Sequence, residues 1–177
     1  VATVLGDYMR EDLVVVGGLV PSLLIDQDDL PPGAGPHPGT MDLDLGLQVG
    51  VLDGGRYREI SRRLRDAGFD MDRNAQGNPT RQRWKVVGPK GEAVVDFLMP
   101  AMEVGDEASE LRNLEGDFAA IITPGLELAF RDRQRVQVSG ETIMEERCTR
   151  RIGVCGPGAF VVLKALAFGV RGLNKDA

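Results

Sequence analysis

A single histidine, His37, in 177 residues leaves little room for the chemistry that imidazoles carry. A Ser-His-Asp hydrolase and a histidine-rich metal site are both disfavoured, and His37, set between Pro36 and Pro38, reads as a loop residue. Cysteine is almost as scarce. Cys148 and Cys155 have six residues between them, which matches neither the ligand spacing of structural zinc nor a disulfide-rich scaffold, so both are expected as reduced thiols. Long apolar runs are missing too: glycine or charge interrupts every stretch well short of the ~18 residues of a membrane helix. The opening residues, Val-Ala-Thr-Val-Leu-Gly-Asp, lack the charged, apolar and small-residue progression of a secretory signal. The expectation is a cytoplasmic protein that does not enter a membrane.

Positive charge is in short supply over most of the chain. The net charge is −6, but residues 1–130 carry 12 basic and 22 acidic side chains, net −10, whereas residues 131–177 carry 9 basic and 5 acidic, net +4. Arg131, Arg133, Arg135, Arg147, Arg150 and Arg151 belong to the second segment. If they converge on one surface they form a footprint for a phosphate backbone; otherwise they are solvated positions on strands and a turn. An acidic total does not bar RNA, because a local patch sets the field at contact. The length suits one unit, read as a core over residues 1–130 with C-terminal strands and a helix over 131–177 packed on it.

Against these absences, three acids stand out. Asp42 and Asp44 lie two apart in the apolar run Met41 to Val49; on a strand they project from one face, roughly 6.5 to 7 Å apart. Asp96 is the single acid within the apolar stretch Ala93 to Leu98. Acids inside apolar strands are costly unless paired or metal-bound, and three of them on neighbouring strands suit one or two Mg²⁺ ions, whose hard oxygen preference also suits nucleotide phosphates. Two such ions can stabilise the attacking and leaving oxygens of an in-line displacement. Upstream, Val14-Val-Val-Gly17-Gly18 reads as a strand running into a glycine turn and a helix, where backbone N–H groups approach an anion closely. The alternatives are a solvent-facing edge strand for Asp42 and Asp44, a salt bridge for Asp96 and a simple tight turn for the glycines.

Periodicity places these motifs. Leu13 to Val16 is a buried strand and Leu19 to Ile25 a short helix. Residues 56–67 put Tyr57, Ile60, Leu64 and Ala67 at helical spacing, with Gly68 as the stop. Arg83 to Val87 and Ala93 to Leu98, joined by Gly-Pro-Lys-Gly, form a hairpin. The stretch from Pro100 to Asp117 reads as irregular surface with a short helical piece, followed by strands over 119–123, 135–138 and 151–154. Pro157 starts the last helix, on which Lys164, Phe168, Arg171 and Lys175 share a face and Val161, Leu163, Leu166 and Val170 form the core side. The expected class is α+β. The chain stops at Ala177, just past this helix, and a longer natural C-terminus is an open alternative.

The ordered set Gly17-Gly18, Asp42-x-Asp44 and Asp96 resembles the DNA-polymerase-β-type nucleotidyltransferase superfamily. The run Lys164-Ala-Leu-Ala-Phe-Gly-Val-Arg171-Gly-Leu-Asn-Lys175-Asp176 is similar to the terminal helix of the AbiEii-type toxins of abortive-infection and toxin–antitoxin systems. The resemblance extends from about Leu13 to Asp176. It implies a nucleotidyltransferase-like mixed β-sheet flanked by helices, with a C-terminal helix completing the site. It also implies an NTP substrate held near Gly17 and Gly18 by Lys164, with Arg171 assisting and Asp176 orienting a cation or substrate group. Asp42, Asp44 and Asp96 would be the Mg²⁺ ligands, and Asp96 would also serve the acceptor hydroxyl. Many superfamily members carry Gly-Ser at the glycine turn; here Leu19 follows, and Ser22, a turn further on, is the alternative phosphate contact. The implied acceptor is RNA, in the first instance the 3′ end of tRNA, and the implied partner a cognate antitoxin. Two other readings share the motif: a nucleotidyltransferase acting on an antibiotic or metabolite, and a non-catalytic nucleotide-binding module.

Overall fold

Leu13–Val16 is apolar and buried at every position, the signature of a strand covered on both faces. In the computed structural model, which describes residues 1–26, 30–35, 40, 42–49 and 53–175, this strand is β1, in the interior of the sheet between β2 and β9. Two short helices, α1 (Ala2–Leu5) and α2 (Tyr8–Glu11), precede it. A 3₁₀ turn (Gly17–Leu19) and α3 (Val20–Leu24) follow. Then come β2 (Asp42–Leu47), α4 (Gly54–Asp66), β3 (Asp70–Arg73), β4 (Pro79–Gly88) and β5 (Gly91–Met99). The chain continues through β6 (Leu111–Glu115), β7 (Phe118–Ile122), α5 (Glu127–Arg131), β8 (Arg133–Glu141), β9 (Arg147–Cys155) and α6 (Pro157–Lys175).

Among the described residues nine strands form one mixed sheet in the order β3-β4-β5-β2-β1-β9-β8, with β7 beside the end of β5 and β6 beyond it. The architecture is α+β. β2 runs antiparallel to β1 and parallel to β5, and β9 runs parallel to β1. Because β9 pairs with β1 and β8 pairs with β9, the C-terminal strands extend the same sheet as the core.

Alternation divides the sheet into two faces. Val15, Leu45 and Phe97 lie abreast on one of them, with Trp84 beside Val95 in the next row. Helix α4 belongs to this face: its apolar stripe buries Tyr57, Ile60 and Leu64, and Tyr57 stacks on Phe118 at 5.8 Å, which in turn meets Phe97 at 4.7 Å. Asp53 caps α4 by accepting from the Arg56 N–H, and Gly68, with φ 83°, ends it.

Two expectations need correction. The stretch before Asp117 holds strand β6, which pairs with β7 across the Gly116-Asp117 turn; its partly exposed, mixed composition masks a strand whose ladder comes from a neighbour. On α6, Val161 and Leu166 are exposed rather than core-facing. The helix rests on the body of the protein through buried Ala159 and half-buried Phe160 and Leu163, with the Leu166 side chain lying against Gly125, and a cleft separates its remaining length from the sheet.

Candidate active site

One cross-sheet row organises the other face. Val16 of β1 is abreast of Asp44 of β2, Asp44 is abreast of Asp96 of β5, and Asp96 is opposite Arg83 of β4. Asp42 projects from the same face one pleat away, in register with Val94. The strand reading of Asp42-Leu-Asp44 and the hairpin that delivers Asp96 beside it therefore correspond to the observed pairing. Met41, expected to begin the strand, and His37 both lie outside the described residues.

Arg83 is the organising cation. Its Nη1 donates to Asp96 Oδ2 at 2.7 Å, its Nη2 to Asp42 Oδ2 at 2.8 Å and its Nε to Asp72 Oδ2 at 3.2 Å. Asp96 is only 8% exposed. Burial pushes its carboxyl above the usual carboxylate range; Arg83 pulls it back, while the negative charges of Asp42 and Asp72 push it further up. One guanidinium shared among three carboxylates does not offset the desolvation of the deepest. For Arg83, burial opposes the charge, but the hydrogen bond to Asp42 and the fields of Asp96, Asp42 and Asp72 outweigh it and hold the group firmly protonated.

Neither Arg83 nor Asp72 was among the expected site residues, although a signal for Arg83 existed. The two-residue turn Pro89-Lys90 fixes the β4–β5 register, and counting back from Gly88 opposite Gly91 brings Arg83 opposite Asp96. Asp72 offered none, because the β3–β4 register shifts between Met71 and Asp72.

The glycines are packed against the same acids. Gly17 has φ 71°, and a β-carbon there would overlap the Asp44 carboxylate; a β-carbon on Gly18 would overlap the Thr40 side chain. The turn therefore needs glycine for close approach to β2. Thr40 in turn donates from Oγ1 to the Asp42 carbonyl at 3.0 Å, steadying the start of the strand.

Above this row lies a cleft of about 700 Å³, lined on the sheet side by Val16, Gly17, Asp44, Asp96 and Leu98 and on the helix side by Phe160, Leu163, Lys164 and Phe168. Lys164 thus shares a cavity with two of the three acids and with Gly17. Its Nζ is 5.7 Å from the centre of the Phe160 ring, a cation–π contact that steadies the ammonium at the cleft wall. Ser22, on α3, is not among the described residues lining this cleft. Arg171 and Lys175 lie on α6, their side chains outside the described residues, as is the whole of Asp176.

A distant residue anchors the helix that carries Lys164. Gly156 has no side chain with which to cap α6, and Asp132, at the end of α5, supplies the missing acceptor: its Oδ2 takes the Ala159 N–H at 2.9 Å, while its carbonyl takes the Gly156 N–H. Cys155, buried beneath this junction, has its thiol pushed up to about 11 by burial and by Asp132, so it remains protonated and unreactive. Both cysteines are free thiols.

A second, smaller cleft of about 340 Å³, lined by Asp7, Tyr8, Glu11, Asp12, Arg56 and Arg63, shares no residue with the acids. Its charges are already paired, as Arg56 with Asp12. No helix among the described residues is long and apolar enough to cross a membrane.

Comparisons with protein-family models, curated proteins and solved structures found no match. Among the described residues, no group of three or more histidine, cysteine or carboxylate side chains is gathered to hold a metal as it stands; Arg83 ties together Asp42, Asp72 and Asp96. The donor chemistry nonetheless fits a hard divalent cation. All the candidate donors are carboxylate oxygens, Asp44 and Asp96 lie abreast at the cleft, and the excess of negative charge around buried Asp96 would be relieved by a cation.

Proposed function

We propose that the chain is a Mg²⁺-dependent nucleotidyltransferase that moves NMP from an NTP to an acceptor hydroxyl. The observation that carries this reading is the Asp44–Asp96 pair abreast at the floor of a cleft whose walls include Gly17 and Lys164. Asp42, Asp44 and Asp96 would hold the metal, which when bound supplies Lewis-acid stabilisation of phosphoryl oxygens. Lys164 would meet the triphosphate with a positive charge where negative charge builds up. Gly17 lines the cleft and its lack of a side chain lets the turn pack directly against Asp44, so a phosphate held at this end of the cleft would lie beside the metal-binding acids. Asp96, whose burial raises its proton affinity, is suited to accept a hydrogen bond or proton from the acceptor hydroxyl.

By resemblance to the AbiEii-type toxins, the proposed acceptor is RNA, the 3′ end of tRNA in the first instance, with an antitoxin as partner and the cytoplasm as the place of action. Fold and site do not fix the acceptor. A small-molecule acceptor is the second reading, and the apolar half of the cleft, including Leu98, Ile121, Leu126, Phe160 and Phe168, favours it. The deciding experiment incubates wild type and Asp42→Ala with Mg²⁺, each labelled NTP and total tRNA. Label in RNA with wild type alone supports transfer to RNA. NTP binding without labelled RNA moves the acceptor to a small molecule, and NTP affinity indifferent to Asp42→Ala replaces catalysis with a binding module.

A further inference from the structure

The basic residues of the C-terminal segment do not all point the same way, and the register sorts them. In the β8–β9 hairpin, Arg133 is opposite Cys155, Arg135 opposite Gly153, Gln137 opposite Arg151, Ser139 opposite Thr149 and Glu141 opposite Arg147. These positions share one face, while Val136, Val138, Cys148 and Ile152 take the other and are buried or half-buried. Arg150, opposite Val138, falls on that second face.

The face holding Arg135, Arg147 and Arg151 is also the face of the three acids. Val15 pairs with Val154, so Val16 stands beside Cys155, and both line the cleft with Asp44 and Asp96. One row therefore runs from Arg83 through Asp96, Asp44, Val16 and Cys155 to Arg133, and the hairpin continues from its end.

Most arginines outside this hairpin are neutralised by acids, although Arg73 and Arg81 donate instead to the Gly77 carbonyl and to Asn113, and Arg131 has no ion-pair partner among the described residues. Arg10, Arg56, Arg58, Arg62, Arg63, Arg65, Arg83 and Arg112 are all in ion pairs. Among the described residues, the guanidinium groups of Arg135, Arg147 and Arg151 make neither an ion pair nor a hydrogen bond, and all three residues are exposed. Glu141, the acid opposite Arg147, is engaged by Lys90 at 2.6 Å. Arg135 and Arg151 are diagonal neighbours on the ladder, where like charges repel. In a chain with 27 acidic residues, three guanidinium groups left without carboxylates on one face are best matched by an anion from outside.

We propose that this hairpin face is the docking surface for the sugar–phosphate backbone of an RNA whose reactive end lies in the cleft. The proposal rests on the nucleotidyl-transfer reading, since the RNA is that reaction's acceptor. The neutral donors between the arginines, Gln137, Ser139 and Thr149, suit phosphate oxygens, as do the arginines. The face has no aromatic or large apolar side chain, which a protein partner would use as an anchor and which base stacking would require. Contact is therefore with the phosphate backbone and is indifferent to sequence. From the Arg135 row to the Arg147 row the strand rises by about 20 Å, enough for several consecutive phosphates.

The test measures binding of a fluorescent oligouridylate by anisotropy across a salt series, without NTP or Mg²⁺, for wild type, Arg135→Ala/Arg151→Ala and Arg58→Ala/Arg62→Ala. The hairpin pair is expected to lose about tenfold in affinity and to flatten the log–log salt slope by ~0.7 per guanidinium removed. The α4 pair, with the same change in net charge, should bind as wild type does. Equal loss with both arginine pairs, an unchanged hairpin variant, or no binding by wild type overturns the proposal, and an acidic protein then becomes the partner to seek. Failure of the parent reading looks different: the hairpin dependence is intact, but no labelled nucleotide is transferred to the bound RNA. Arg135→Lys/Arg151→Lys, which keeps the charge, should restore most of the affinity and excludes misfolding as the cause.

Discussion

Arg83 and Asp96 face each other across β4 and β5 with 2.7 Å between Nη1 and Oδ2, and the same guanidinium reaches Asp42 at 2.8 Å. A fixed cation thus links two of the acids proposed to bind a mobile one. Arg83→Ala would leave Asp42, Asp72 and Asp96 facing one another without compensation. Because the Arg83 side chain is 31% exposed, solvent screens part of the loss, and the expected cost is about 2 kcal/mol. Chemical denaturation with and without Mg²⁺ checks this. If the acids bind the ion, added Mg²⁺ raises the midpoint of the variant more than that of wild type; an equal response in both would remove them as ligands.

Asp96 makes a prediction about pH. Its folded proton affinity is raised, chiefly by burial, above that of the unfolded chain. The native state therefore holds the extra proton between the ordinary aspartate value, about 3.9, and the higher folded one. The stability it contributes is fully present below that window and is lost as pH rises through the folded value. Asp96→Asn, permanently neutral and still able to accept from Arg83, should match wild type in acid and gain on it as pH increases, then level off. Thermal midpoints of both proteins measured across pH decide the matter: a difference that shrinks with rising pH would mean that the Arg83 charge, not burial, governs Asp96.

How much of this was legible in the sequence depends on the range of the information. Asp42, Asp44 and Asp96 could be read because each sits in an apolar run whose period of two names its face, and the Pro89-Lys90 turn held enough register to find Arg83 as well. Helix α4 was legible for the same local reason, with Tyr57, Ile60 and Leu64 at one spacing and Gly68 closing it. Asp132 was not: it caps Ala159 from 27 residues away, a contact that only the joining of β8–β9 to β1 creates. The exposure of Val161 and Leu166 was equally hidden, because the apolar spacing of α6 records which residues align, not how far the helix stands from the sheet.

Gly17 tests whether close approach matters. With φ 71° and the Asp44 carboxylate where a β-carbon would go, Gly17→Ala meets both backbone strain and a collision. The backbone part costs roughly 1 kcal/mol. The collision turns Asp44 away from Asp96, so the loss of transfer activity should far exceed the loss of stability. A variant that melts a few degrees lower yet transfers nucleotide at the wild-type rate would show that the glycines serve the turn alone.

Lys164 separates catalysis from folding most cleanly. It is exposed, on a helix that touches the body chiefly through Ala159, Phe160 and Leu163, and its ammonium meets the ring of Phe160. Lys164→Ala should therefore leave the melting temperature nearly unchanged. If the ammonium meets the triphosphate as charge develops, removal of that contact should lower kcat by about 10² to 10³-fold, with a smaller effect on NTP affinity. Asp132→Ala is the companion variant: it keeps the lysine but removes the cap from α6, at a cost of about 1 kcal/mol in stability. A lysine that acts from a firmly held helix predicts a milder fall in kcat for Asp132→Ala than for Lys164→Ala. If both variants bind NTP and turn over as wild type does, the phosphate-facing cation is another residue, and the role of α6 is reduced to covering the cleft.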